Sequence, residues 1–198
     1  MPKLVDKEER KKEIALSCKD LFMRKGIKAL TIAEVAKSAG IGKGTVYEYF
    51  KNKDEVIFTI VDILSQEKDR IRQEHMDKLC STKDKLKLFF KFFYDEDHKD
   101  LRKLYKEFIS INLISPNEAM LNKKAQKHKK YQSIFDSILQ EGIAKGEIDG
   151  NAMKLANGLH TLGIGFFIVN NISNITMDIK QEIDEYIDTL FEFIKVKK

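Results

Sequence analysis

Apolar residues along this chain recur at intervals of three and four, the spacing of helices with one buried face. Ile14, Cys18, Leu21 and Phe22 form the first stripe, in a helix predicted over residues 7 to about 25, with Lys25 and Gly26 as stop signals. A short second stripe follows at Ile32, Val35, Ala36 and Ala39. Thr31 and Glu34 open it with the S/T-x-x-E spacing, in which hydroxyl and carboxylate each satisfy an amide at a helix start. Gly40 ends it, at a position that asks for the left-handed backbone glycine adopts cheaply. Ile41 is the apolar plug of that turn. A third helix spans about Lys43 to Phe50, with Val46 and Phe50 inward. Asn52 caps a fourth, with Glu55 three residues on. This fourth helix runs through Val56, Ile57, Ile60, Ile63 and Leu64 toward Leu79, and its later half, charged all round, reads as a connecting rod.

Five further helices are predicted. One begins at Ser81 or Thr82 and carries Phe89, Phe90, Phe92, Phe93 and Tyr94. The next presents Leu101, Leu104, Tyr105, Phe108, Ile109 and Ile111. Ser115-Pro116-Asn117-Glu118 is a capped start for one reaching about Lys145. The eighth, about Asn151 to Ile172, has Leu155, Leu159, Leu162, Phe166 and Val169 as its stripe. Its Gly158, Gly163 and Gly165 predict that another helix or a ligand comes close, because an interior glycine costs about 1 kcal/mol against alanine. The ninth starts near Asp178 and continues through Ile183, Ile187, Leu190, Phe191 and Ile194. No strand pattern or repeat interrupts the series. The expected fold is all-α with about nine helices: a helix-turn-helix head over residues 1–53, its linking helix reaching about 79, and a helical body over 54–198.

Charge sharpens this division. Residues 1–53 hold 13 Lys/Arg against 7 Asp/Glu, and the rest holds 23 against 24. The basic surplus thus sits in the head, which suggests a polyanion partner there and none for the body. A plain solvated lysine face is the alternative. Cys18 and Cys80 are isolated, which argues against a disulfide scaffold or zinc knuckle and for a reducing compartment. The N-terminus lacks an apolar signal segment. The run Leu159 to Val169 is too short and too broken to span a bilayer. A soluble cytoplasmic protein with no membrane contact is expected. None of the four histidines pairs at helical spacing, so no metal site is expected, and no nucleophile or carboxylate set suggests an enzyme or a cofactor. The run Gly40 to Thr45 is superficially similar to a phosphate-binding loop, but Gly44 separates Lys43 from Thr45 and no strand precedes it.

The outward residues of the third helix carry the chemistry: Lys43, Gly44, Thr45, Tyr47, Glu48 and Tyr49. Hydroxyls and an ammonium suit phosphates and base edges, and a threonine methyl and rings suit thymine methyls. Lys53, in the first turn of the next helix, is favourable only if an anion binds at that helix start. Lys7, Arg10, Lys11 and Lys12 stand on the first helix within reach of a backbone. In the body, Phe89, Phe92, Phe93, Tyr105, Phe108, Tyr131, Phe135 and Phe166, with His128 and His160, are either core or the lining of an apolar pocket.

Leu30-Thr31-Ile32-Ala33, Ala39-Gly40-Ile41, Gly44-Thr45-Val46-Tyr47-Glu48-Tyr49-Phe50 and Asn52-Lys53, supported by Phe22 and Gly26, resemble the TetR family of bacterial transcriptional regulators. The resemblance covers about the first 60 residues. It implies phosphate contacts from Thr31 and Lys53, base and backbone contacts from Lys43, Gly44 and Thr45, and positions on the groove wall for Tyr47 and Tyr49. Gly42 departs from the pattern, which often has a polar residue there. The resemblance further implies a homodimeric repressor on a palindromic operator, released when a small apolar or amphipathic effector enters the body. It places the dimer interface on the last two helices: Leu155, Leu162, Phe166 and Val169 on one, Ile183, Ile187, Leu190, Phe191 and Ile194 on the other. Their apolar faces also exceed what one small body buries. The alternative is a helical protein-docking module without DNA affinity.

Overall fold

The computed structural model describes residues 6–114, 118–172 and 178–196. Among these residues the chain forms ten α-helices. They are α1 (Lys7–Ser17), α2 (Lys19–Lys25), α3 (Ile32–Ala39), α4 (Lys43–Tyr49) and α5 (Lys53–Met76), followed by α6 (Thr82–Phe90), α7 (Lys99–Ile114), α8 (Glu118–Ala144), α9 (Ala156–Ile172) and α10 (Ile179–Ile194). Short 3₁₀ turns precede α7 and α9. The count exceeds the expected nine because the first helix divides at Cys18. There the Ser17 hydroxyl donates to the Ile14 carbonyl at 2.7 Å and the Cys18 thiol to that of Ala15 at 3.1 Å. Such side-chain bonds compete with the helical ladder. The α8 start at Ser115-Pro116-Asn117 lies outside the described residues.

The chain divides into two compact units, and the division falls within α5 between Arg70 and Ile71. The first contains residues 1–70 and 100–120, the second 71–99 and 121–198. Contacts thus extend the head past residue 53 and bring α7 into it. Its core joins Phe22, Leu30, Val46, Phe50, Val56, Ile57, Ile60 and Leu104, all at most 1% exposed. At the turn before α3, Gly26 has φ +79°. A Cβ there would strike the Glu107 carboxylate, which accepts from the Ile27 amide at 2.7 Å. Glu107 on α7 thereby fastens the loop that leads into the helix-turn-helix. Local sequence carries no signal for a contact between residues 80 apart.

In the second unit the rings of α6 and the turn after it stack on α8. Phe89 and Phe135 lie 4.3 Å apart, Phe90 and Phe135 5.6 Å, and Phe89 meets Tyr131 edge-on at 5.7 Å. The α9 helix presents Ala156, Leu159, His160, Gly163 and Phe167 to this core. A Cβ on Gly163 would collide with Phe90 and Phe93, so one of the three expected close approaches is real; nothing lies within 4 Å of such an atom at Gly158 or Gly165. The inward face of α9 therefore differs from the expected Leu155–Val169 stripe. A helix apolar on all sides offers no polar face to fix its rotation, and the ring stack decides it. Counting its 3₁₀ start, Gly150–Ile172 is long and apolar enough to cross a membrane by length and composition alone, with mean hydropathy 1.3, unlike the shorter run weighed in the sequence. In the fold its inner face is core.

Candidate nucleic-acid interface

The helix-turn-helix is built from its ends inward. Thr31 caps α3, and the full reciprocal pair forms: the Glu34 amide donates to the Thr31 hydroxyl at 3.3 Å, and the Thr31 amide to the Glu34 carboxylate at 3.1 Å. The Thr31 hydroxyl itself donates to that carboxylate at 2.9 Å. Lys25 also bonds Glu34, and Lys25 with Thr31 holds the carboxyl below the usual range. The one hydroxyl donor of Thr31 is thus committed to Glu34. A phosphate at Thr31 would displace it. Gly40 sits at φ +65°, ψ +31°, the left-handed geometry expected, and turns the chain into α4.

Val46 (0% exposed) and Phe50 (1%) anchor α4 to the head core. With that face fixed, Lys43, Gly44 and Tyr47 are exposed, and Thr45 and Tyr49 are half-buried. Tyr47 stands out at 57% exposure, a large ring left in water on a seven-residue helix. Lys43 and Tyr47, four residues apart, therefore project along one edge, with half-buried Thr45 on the other side of the helix.

Asn52 caps α5, accepting from the Glu55 amide at 2.9 Å. The Glu55 carboxylate accepts from the Lys51 amide at 2.7 Å and from Lys11 at 2.6 Å. Burial pushes the Glu55 carboxyl up, but Lys11 and the Lys51 amide outweigh it, and the group ends below the ordinary range. Lys11 also lies 5.4 Å from the Phe50 ring centre. Lys11 is therefore a brace between α1 and α5, a role its place in a basic run did not suggest. Arg10 pairs with Glu13 at 2.6 Å. Lys53 donates to the Lys28 carbonyl at 3.1 Å, which holds its ammonium at the α5 start with two further protons to donate.

Residues 18–60 match the family described as bacterial regulatory proteins, tetR family. The head thus carries the helix-turn-helix of the TetR family. It is 29% identical over 142 residues to the uncharacterized HTH-type transcriptional regulator YhgD of Bacillus subtilis, covering 71% of this chain and 72% of that one. It is 28% identical to the fatty acid metabolism regulator protein of the same organism, covering 69% and 70% of the two chains. The fold matches the crystal structure of a TetR-family transcriptional regulator from Cytophaga hutchinsonii with TM-score 0.78, over 99% of this chain and 100% of that one, at 18% identity. It also matches Bacillus subtilis FadR, crystallised with stearoyl-CoA, with TM-score 0.67 over 90% and 96%, at 21% identity.

With such a head the chain is a DNA-binding transcriptional regulator. The residues expected to line an effector pocket are divided between the units. Phe89, Phe92, Phe93, His128, Tyr131, Phe135, His160 and Phe166 belong to the second; Tyr105 and Phe108 belong to the first. Phe108 meets Phe58 edge-on at 5.6 Å, and burial pushes the Tyr105 hydroxyl up to about 12. Phe89, Phe93 and Phe135 are buried, Phe92, Tyr131 and Phe166 half-buried, and His128 is exposed beside buried His160. A polar cleft of ≈ 500 Å³ runs past Met76, Lys85, Ser133, Ser137 and Glu141, with Lys85 paired to Glu141 at 2.6 Å.

The expected interface residues also separate. Ile183 and Ile187 are 0% exposed and Phe191 is 7%, because α10 turns this side onto α6 within the same unit. These three are core of their own chain and have little surface to give a partner. Leu155, Leu162, Phe166, Leu190 and Ile194 are half-buried, and Val169 is exposed. Sequence reasoning missed the outermost apolar residues, Ile172 at 77% and Phe193 at 79%. Their signal was present as the second face of helices apolar on both sides.

Proposed function

We propose that two copies of this chain bind a palindromic operator as a homodimer, repress transcription there, and release the DNA when a small apolar or amphipathic molecule enters the second unit. The observation that carries the reading is the edge of α4: Lys43 and Tyr47 project, with Thr45 half-buried on the other side, while Val46 and Phe50 lock the helix. Phosphate contacts from Lys53, and from Thr31 once Glu34 yields, flank it. The dimer is supported by Gly158, Leu162, Gly165, Val169 and Ile172, which recur on one face of α9, beside Tyr186, Leu190 and Phe193 on α10. Glycines on such a face let two helices approach closely, and exposed apolar surface of this kind marks an interface. An amphipathic effector is supported by the likeness to FadR, whose crystal form holds stearoyl-CoA.

A gel shift with the protein's own promoter region tests the reading. Tyr47→Ala and Lys43→Ala should each weaken binding at least tenfold. If both variants bind as the wild type does, the recognition-helix assignment is wrong. Lys53→Ala should weaken all sequences alike and reduce the salt dependence by about one ion, as loss of one phosphate contact does.

A further inference from the structure

One cluster in the second unit is left unused by DNA binding. His160 on α9 is 6% exposed, and its Nδ1 is buried with no hydrogen-bond partner among the described residues. Buried polar atoms are almost always bonded, so this nitrogen calls for an explanation. The His160 ring lies 4.5 Å from that of His128, 5.8 Å from Tyr131 and 6.1 Å from Phe135, all on α8. Cations gather over the same rings. The Arg72 guanidinium is 4.6 Å from the Phe89 centre and 5.3 Å from that of Tyr131, and the Lys127 ammonium is 5.9 Å from Tyr131. From Leu121 to Phe135 the chain carries five lysines and no acidic residue, within a body that is otherwise slightly acidic.

The arrangement joins two chemistries. On one side are the cations Arg72 and Lys127, an electropositive rim, with the His128 imidazole beside them. On the other are Phe89, Tyr131 and Phe135, continuous with the ring stack of the core. Burial, and then His128, push His160 down to about 4, so its imidazole is neutral near pH 7 and can donate one bond without a charge of its own. An anion at this place would supply the partner that Nδ1 lacks and meet positive charge from Lys127 on α8 and from Arg72 on α5.

We infer that the second unit binds an anionic amphiphile, its carboxylate or phosphate held at His160 Nδ1 between His128, Arg72 and Lys127, and its chain laid against Tyr131 at the edge of the ring stack. This rests on the reading that the unit takes an effector, and it names the chemistry of that effector. The head group can come from a fatty acid or from the phosphates of an acyl thioester, so both are probes.

Calorimetric titration of the full chain with laurate, lauroyl coenzyme A, coenzyme A and dodecanol decides the matter. At least one lauroyl anion should bind tenfold or more tighter than the alcohol of equal chain length. Binding by laurate alone identifies a carboxylate as the head group; binding by the thioester alone places its phosphates on the rim. Either result supports the site. Coenzyme A binding as well as its lauroyl ester would overturn it, as would dodecanol matching both anions. His160→Phe should cost the anion tenfold and leave dodecanol unchanged. Lys127→Gln and His128→Asn, on the outer side of the cluster, should cost it severalfold with no change in melting temperature. Unaltered anion affinity in all three variants refutes the assignment. A gel shift run in parallel separates the two claims. An anion that binds without releasing DNA refutes the effector reading alone, whereas absent anion binding with intact DNA binding refutes the site alone.

Discussion

The outward faces of α4 and α9 are both in water, and their chemistry is opposite. On α4 the exposed groups include an ammonium and a phenol, held on a short helix by two buried anchors, Val46 and Phe50. On α9 they are Val169, Ile172 and two glycines, on a helix whose other face is packed against rings. A polar edge on a rigid element suits a hydrated polyanion, whose contacts are short and directional. An apolar face suits another apolar face, where area and close approach matter more than direction. The same chain thus separates the surface we assign to DNA from the surface we assign to its own copy.

The widest test of this contrast strikes the anchors. Phe50→Ala empties a fully buried ring position, and should destabilise the head by about 3–5 kcal/mol in thermal unfolding and abolish the gel shift with it. Breaking the apolar face comes next. Ile172→Asp with Phe193→Asp should turn a dimer into a monomer in sedimentation, each loss weakening association by about 2 kcal/mol. Helix content should stay at the wild-type level, because both side chains are nearly fully exposed within the protomer. Ile183→Asp should instead unfold the unit, since that residue has no exposed surface. On the polar edge, Tyr47→Ala should cost about 1–3 kcal/mol of operator affinity and under about 0.5 kcal/mol of stability.

Two smaller effects sharpen the comparison. His160 titrates near 4 in the fold instead of 6.5. As pH falls below 6.5 the unfolded chain takes up this proton and the folded one resists, so the fold loses about 1.4 kcal/mol for each pH unit until the folded group titrates. Denaturant midpoints at pH 6.5 and 5.5, without ligand, should show this loss in the wild type and a flatter response in His160→Gln. Thr31→Ala removes the α3 cap and should cost about 1 kcal/mol, read in the same denaturant curves.

Much of the head was legible because its signals are local. The Thr31–Glu34 spacing, Gly40, Asn52 with Glu55, and Val46 with Phe50 each act within one helical turn, and each forms as its residues predict. Where sequence reading fell short in the head, a distant residue intervened. Glu107 reaches back to the Ile27 amide, and Lys11 is drawn to Glu55 and away from the basic edge. The break at Cys18 could be anticipated only by counting side-chain bonds to the preceding carbonyls.

The second unit was less legible, and the reason is periodicity. Helices α9 and α10 carry apolar residues on most sides, so their pattern specifies a helix without specifying its rotation. Packing chose: Gly163 admits Phe90 and Phe93, which turns His160 and Phe167 inward and leaves Ile172 outside. In the same way α6 claimed Ile183 and Ile187 and left Phe193 in water. The sequence by itself determined an all-α chain with a capped helix-turn-helix whose second helix has known inward anchors, because those depend on contacts within a turn. Only the tertiary structure decided which apolar faces stay exposed, that α7 belongs with the head, and that a histidine lies buried with an unpaired nitrogen beside a rim of cations, because those depend on surfaces meeting across the chain.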